Sequence, residues 1–183
     1  VGETVTRTST IKDVSTKQGR SGALVFVCVR HDFGNAQGLA LREEHDIVYR
    51  DAPLPGAPAP APTPAPMDAQ FSREIVTDPV LLFRYSALTF NGHRIHYDRS
   101  YVTGVEGYPG LIVHGPLIAT LLLDLLRRNL PNARVKRFSF KAVRPTFDIH
   151  PFTVCGTAEG KTVTLWGPAF EGWPAMQGPA ELG

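Results

Sequence analysis

The chain has 183 residues, 43% of them hydrophobic and 20% charged, with a formal net charge of +2. That length can bury a real core as one large domain or two small ones, and so small a charge does not by itself argue for a nucleic-acid partner. The longest apolar run, Leu117–Leu126, is cut by Asp124 and followed by Arg127 and Arg128, which excludes a membrane-spanning helix.

In chain order, residues 1–50 read as a β-meander. Thr4–Val14 alternates in part, and Ala23–His31 is rich in β-branched and aromatic residues. After a turn signal at Gly34-Asn35, Leu39–Tyr49 is expected to form a third strand. Nothing in these 50 residues resembles a helix, yet a sheet must bury its apolar face against something. The chain also starts at Val1, so we expect a preceding segment that carries the missing helix. No charged stretch followed by an apolar one opens the chain, which argues against a secretory leader and makes the cytoplasm the default location. Residues 51–67 hold seven of the sixteen prolines, alternating with Ala and Gly. Proline fixes φ and removes donors, so this is a semi-rigid linker; a partner-binding polyproline segment is the less favoured reading.

Beyond the linker, 68–183 is expected to be a second unit. Phe71–Thr77 reads as a strand. Asp78-Pro79 starts a helix whose Leu81, Leu82, Tyr85 and Leu88 recur at helical spacing. Phe90–Asp98 is a polar loop, Arg99–Val105 a helical turn, and Tyr108-Pro109-Gly110 a second turn. Pro116–Leu130 is the clearest helix: proline suits its first turn, Arg127 and Arg128 its C-terminal dipole, and Pro131 stops it. Its apolar residues occur nearly all round, which predicts a central, buried helix. Strands follow over Val135–Val143, Phe152–Thr157, Thr162–Trp166 and Ala175–Ala180, with a hairpin turn at Glu159-Gly160. The order gives an α+β fold, an antiparallel sheet wrapped round one long helix. Cys28 and Cys155 lie far apart in strand-like runs and read better as free thiols than as a disulfide.

The chemistry concentrates in Thr-Phe-Asn-Gly-His-Arg-Ile-His-Tyr-Asp (89–98) and Gly-Leu-Ile-Val-His-Gly-Pro-Leu (110–117). The first packs imidazoles, an amide and a carboxylate into one loop, and the second presents backbone N–H groups at a helix start. Together they can carry a base and stabilise a developing oxyanion. His93 and His96 are spaced as metal ligands could be, but no acidic or thiol ligand accompanies them in the pattern of a zinc site, and we expect no metal.

The two blocks resemble the MaoC-like hydratases and dehydratases, which have a hot-dog fold, and in particular the two-repeat branch that includes mesaconyl-C4-CoA hydratases and type 2 3-hydroxyacyl-thioester dehydratases. The single-repeat hydratases of that superfamily carry Asp-x-Asn-Pro-x-His-x-Asp followed later by Val-His-Gly. On that pattern His96 takes the place of the catalytic histidine, Asp98 that of the following aspartate, and Gly115 that of the glycine whose N–H binds the thioester carbonyl. Asn91 stands where the catalytic aspartate usually is, and His93 and Arg94 replace the Asn-Pro pair.

The resemblance covers essentially the whole chain. It implies a double hot-dog whose first repeat lacks its helix here, assembled as a homo-oligomer, a dimer of double hot-dogs. It further implies a hydro-lyase acting on an enoyl or 3-hydroxyacyl thioester of coenzyme A or a carrier protein, with no resident cofactor, no nucleic acid and no membrane. His96 is the expected base, and Asn91 positions water through its amide oxygen. Gly115 is the oxyanion donor, with His114, Arg94 and Asp98 as further candidates for substrate or oxyanion binding. Each of those three has a plainer alternative: His114 as a packing or capping residue, Asp98 as a helix cap, Arg94 as a loop scaffold. Arg94 is also placed to pair with a free carboxylate on a dicarboxylic substrate. Two other functions remain open, a thioesterase and a non-catalytic acyl-thioester binder; the amide at Asn91 favours the second.

Overall fold

The structure is a computed structural model that describes residues 2–19, 22–50, 64, 68–168 and 174–183. The expected linker at 51–67 thus lies outside the described residues except for position 64. The chain divides into two compact units, Val1–Pro60 and Ala61–Gly183.

In the first unit three long strands form an antiparallel meander: β1 (Thr6–Gly19), β2 (Gly22–Asn35) and β3 (Gly38–Arg50). The turn between β2 and β3 falls one pair later than the Gly34-Asn35 signal, at Ala36-Gln37. Asn35 directs it, its Oδ1 accepting the Gln37 N–H at 2.9 Å. The described residues of this unit include no helix and no fully buried side chain, and Ile11, Val14, Leu39 and Leu41 stay exposed. That matches the expectation of a sheet without its covering helix.

The second unit holds a real core. Its strands are β4 (Phe71–Ile75), β5 (Val135–Phe138), β6 (Lys141–Ala142), β7 (Phe152–Glu159), β8 (Thr162–Pro168) and β9 (Pro174–Leu182). They pair antiparallel in the order β4-β7-β8-β9-β5, with β6 also on β9. The helices are α1 (Pro79–Leu88), α2 (Arg99–Gly104) and α3 (Gly115–Asn129). Leu117, Ile118, Leu122, Leu125 and Leu126 of α3 pack with Val154, Val163, Leu165 and Met176 of the sheet.

Two expectations need correction. The helix α3 is not apolar all round in its setting: Thr120, Arg127, Arg128 and Asn129 are exposed, and Asp124 binds Arg73, Arg127 and Arg128. The single strand expected over Val135–Val143 is broken between β5 and β6. Pro179 of β9 accepts the Ser139 N–H at 3.1 Å but has no N–H to return. Beside it, a Cβ on Gly178 would stand 1.8 Å from the Ser139 carbonyl oxygen, so the chains approach there only because residue 178 has no side chain.

Candidate active site

The site grows from the two ends of α1. Asp78 caps its start, accepting the Leu81 N–H at 2.7 Å with Pro79 in the first turn. At its far end Phe90 takes a left-handed conformation, φ 52°, and is 96% exposed. Glycine is the usual residue there; here the reversal lets the Asn91 N–H close on the Ser86 carbonyl at 2.9 Å. The polar loop is then tied to itself. Asn91 Oδ1 accepts the His93 N–H at 3.0 Å, and the Tyr97 hydroxyl donates to the Gly92 carbonyl at 2.9 Å. A single 3-10 turn, Arg94–His96, carries the chain into α2.

Asp98 closes this loop as the cap of α2. Its Oδ1 accepts the Tyr101 N–H at 3.0 Å, and its Oδ2 accepts Arg94 Nη2 at 2.7 Å and Nε at 3.1 Å. The cap bond and then the guanidinium hold its carboxyl below the ordinary carboxylate range. Of the alternatives the sequence left for Asp98, the geometry displays the cap. Arg94 is correspondingly engaged: besides Asp98 it lies over the Tyr101 ring, 4.1 Å from the centroid.

The loop delivers His96 to the segment ahead of α3. His96 is 8% exposed, and its Nδ1 stands 2.7 Å from the Ile112 carbonyl. A carbonyl only accepts, so Nδ1 carries the proton and Nε2 of the neutral ring keeps its lone pair. Burial lowers the pKa of this ring, the Ile112 bond raises it in part, and the charge of a protonated His93 lowers it further. The result is an imidazole that is neutral at pH 7 and free to accept a proton on Nε2.

Residues 111–113 are clamped so that this carbonyl stays in place. Leu111 N–H donates to Asp148 Oδ1 at 2.9 Å, and Asp148 N–H returns to the Leu111 carbonyl at 3.0 Å. Val113 N–H donates to the Thr146 carbonyl at 2.8 Å, Ile112 N–H to the Ile95 carbonyl at 3.0 Å, and Arg99 pairs with the buried Asp148 carboxylate.

Directly after the clamp, His114 and Gly115 begin α3. The first helical N–H groups precede the internal hydrogen-bond ladder and sit at the positive end of the dipole, and Pro116 has none to offer. Gly115 is therefore the first of the donors at this end. His114 is 1% exposed and makes no capping bond. Its Nε2 lies 2.8 Å from the buried Ser86 hydroxyl, and its ring stacks on His96 with centroids 3.8 Å apart and planes 16° apart. Tyr85 packs edge-on against it, centroids 4.9 Å apart. Burial, then the neighbouring His96, push its pKa down to about 4.

The structure thus gathers Asn91, Arg94, His96 and Asp98 in one loop and places His96 against His114 at the head of α3. Sequence reasoning did not place Ser86, Tyr85 or Asp148 at the site; Tyr85 was read only as a helix residue. A serine four residues after Leu82 on the buried stripe of α1 was the one local signal for Ser86. Among the described residues no group of three or more His, Cys, Asp or Glu is arranged to hold a metal ion, and no helix is long and apolar enough to cross a membrane.

The chain is similar in sequence and in fold to known proteins. The family model of hydroxyacyl-thioester dehydratase type 2 matches residues 1–148. A mesaconyl-C(4)-CoA hydratase from Chloroflexus aurantiacus is 45% identical over 185 residues, covering 100% of this chain and 65% of that protein. A mitochondrial hydroxyacyl-thioester dehydratase type 2 from Schizosaccharomyces pombe is 38% identical over 99 residues, covering 53% of this chain and 32% of that one. The chain therefore spans less than two thirds of the length of either relative. Among solved structures, a MaoC-like dehydratase from Phytophthora capsici superposes with a TM-score of 0.72 at 18% identity, covering 99% of this chain and 65% of that one. The (R)-hydratase from A. caviae superposes with a TM-score of 0.53 at 22% identity over 63% of this chain and 96% of its own. At these identities the two structures bear on the fold alone, and they support the hot-dog fold.

Proposed function

For a chain that belongs to the hydroxyacyl-thioester dehydratase type 2 family, we propose hydro-lyase activity: addition of water to an enoyl thioester, or its removal from a 3-hydroxyacyl thioester. The observation that carries this reading is the neutral His96 imidazole, its Nδ1–H held by the Ile112 carbonyl and its Nε2 left as acceptor, beside the N-terminus of α3.

In the hydration direction Nε2 takes a proton from water as the water oxygen bonds to C3. The C2=C3 electrons move toward the thioester, and the enolate oxygen receives the Gly115 N–H with the helix dipole behind it. One such donor is worth about 3 kcal/mol in the barrier. The proton on Nε2 then passes to C2, which restores the neutral ring and leaves the 3-hydroxyacyl thioester. Asn91 cannot shuttle a proton, so His96 serves as base and then acid. The Asn91 amide holds the water, since its oxygen has a second lone pair beyond the one that takes the His93 N–H.

The substrate carrier in this reading is coenzyme A or a carrier protein, with mesaconyl-C4-CoA as a dicarboxylic candidate. The reading also takes the protein as a cytoplasmic homo-oligomer without a cofactor. The experiment is incubation with crotonyl-CoA and mesaconyl-C4-CoA, following enoyl-thioester absorbance and free thiol together. Loss of absorbance without thiol is the expected result. Loss with thiol means a thioesterase, and no change means a binder, the reading that an amide at position 91 favours.

A further inference from the structure

We infer that His114, anchored by Ser86, is a positioning residue for His96: the two stacked rings fix the plane of the His96 imidazole and thereby its Nδ1–H tautomer. The inference rests on the reading of His96 as the base. Three observations carry it. His114 is almost wholly buried at a helix start, yet it makes no capping bond, so it is not there to satisfy the helix. Its Nδ1 is buried without a hydrogen-bond partner among the described residues, a cost that an apolar side chain of similar size would avoid. And the ring's one hydrogen bond among the described residues, Nε2 to Ser86 at 2.8 Å, is the contact that fixes its rotation.

The two rings are thus each held by one hydrogen bond at one nitrogen, His96 by Ile112 and His114 by Ser86, and they lie face to face 3.8 Å apart. Turning His96 about its Cβ–Cγ bond would break the Ile112 bond and drive its edge into the His114 ring. Rotation of His114 is opposed in turn by Ser86 and by the Tyr85 edge. His93 meets His96 edge-on from the loop side, with centroids 5.7 Å apart. Because His114 gains a proton only near pH 4, it stays neutral while His96 is transiently charged and offers its π face instead of a repelling charge.

The test combines long-range ¹⁵N NMR of the imidazoles, which reports the tautomer without substrate, with steady-state hydration kinetics. The variants are His114→Phe, His114→Leu and Ser86→Ala. Wild type is expected to show His96 as the single Nδ1–H tautomer. His114→Phe keeps a flat ring and should keep that tautomer and most of kcat. His114→Leu keeps bulk but no face, and should show mixed tautomers and a kcat lower by about 10- to 100-fold with KM little changed, as for a misplaced catalytic group. Ser86→Ala should lie between, and it decides the matter if the His114 variants do not fold.

Wild-type tautomer and kcat in both His114→Leu and Ser86→Ala would overturn the inference. So would equal loss in His114→Phe and His114→Leu with the tautomer unchanged, since His114 would then act through its own nitrogen. Tautomer shifts in a protein that hydrates neither thioester would sustain the positioning role while refuting the proposed reaction.

Discussion

Replacing His96 separates its chemical role from its structural one, because the two nitrogens do different work. Nδ1–H satisfies the Ile112 carbonyl, and Nε2 carries the reaction. His96→Ala removes both. It leaves a half-buried carbonyl without its donor, which costs about 1 kcal/mol or more, and opens a void under the His114 ring, so Tm should fall by several degrees for a chain of this size. In His96→Asn the amide nitrogen stands where Nδ1 does and can still donate to Ile112, so this variant should be more stable than His96→Ala by about 1 kcal/mol, the size of one net hydrogen bond. Both variants should lose activity alike, by about 10²- to 10⁴-fold in kcat, since the loop's other imidazole, the exposed His93, takes no part in the proposed reaction. The assay is initial-rate loss of enoyl-thioester absorbance, paired with thermal melts on the same preparations. A His96→Asn protein that keeps more than about a tenth of wild-type kcat would refute the assignment of His96 as base.

The other predictions follow from the same geometry. Asn91→Asp should be tolerated, and Asn91→Leu should lose at least about tenfold in kcat if the amide holds water; full activity in the leucine variant would remove Asn91 from the mechanism. Arg94 is bound to Asp98 through Nε and Nη2 and stacked on Tyr101, so Arg94→Met should lower kcat/KM about equally for crotonyl-CoA and mesaconyl-C4-CoA. A loss larger by about 10- to 150-fold on the dicarboxylic substrate would instead show a direct carboxylate contact, at about 1.5–3 kcal/mol for a charge-assisted bond. Stability should depend on pH through His114, whose ring protonates at an ordinary 6.5 when unfolded but only near 4 in the fold. The unfolded state therefore binds more protons between those values, and the contribution, complete above about pH 6.5, is lost as pH falls, by about 3 kcal/mol at pH 4. Urea melts of wild type and His114→Phe across that window should differ in slope; parallel curves would contradict the burial argument.

Much of this fold is legible in the sequence because its signals are local. Asp78-Pro79 marks the start of α1, Pro116 and Pro131 bracket α3, and β-branched runs mark β2, β7 and β8. The break between β5 and β6 is not legible, because it depends on Pro179 and Gly178, some forty residues away in the chain and adjacent only once β9 is in place. The site divides in the same way. His96, Gly115 and the cap at Asp98 can be read from one short stretch. Ser86 meets His114 across 28 residues, and Asp148 meets Leu111 across 37. Those partners become visible only when α1, the loop and the segment before α3 are brought together. For Arg94 the sequence offered a substrate carboxylate or a scaffold, and the Asp98 and Tyr101 contacts supply a scaffold within the chain itself.

The central claim is that His96 moves a proton between water and C2 while the thioester survives, and isotopic water tests this most directly. Crotonyl-CoA or mesaconyl-C4-CoA incubated in H₂¹⁸O, and separately in D₂O, should yield a 3-hydroxyacyl thioester carrying one ¹⁸O at C3 or one deuterium at C2, with no free thiol, and His96→Asn should incorporate neither. Appearance of ¹⁸O in a free carboxylate together with released thiol, or incorporation undiminished in His96→Asn, would contradict the account.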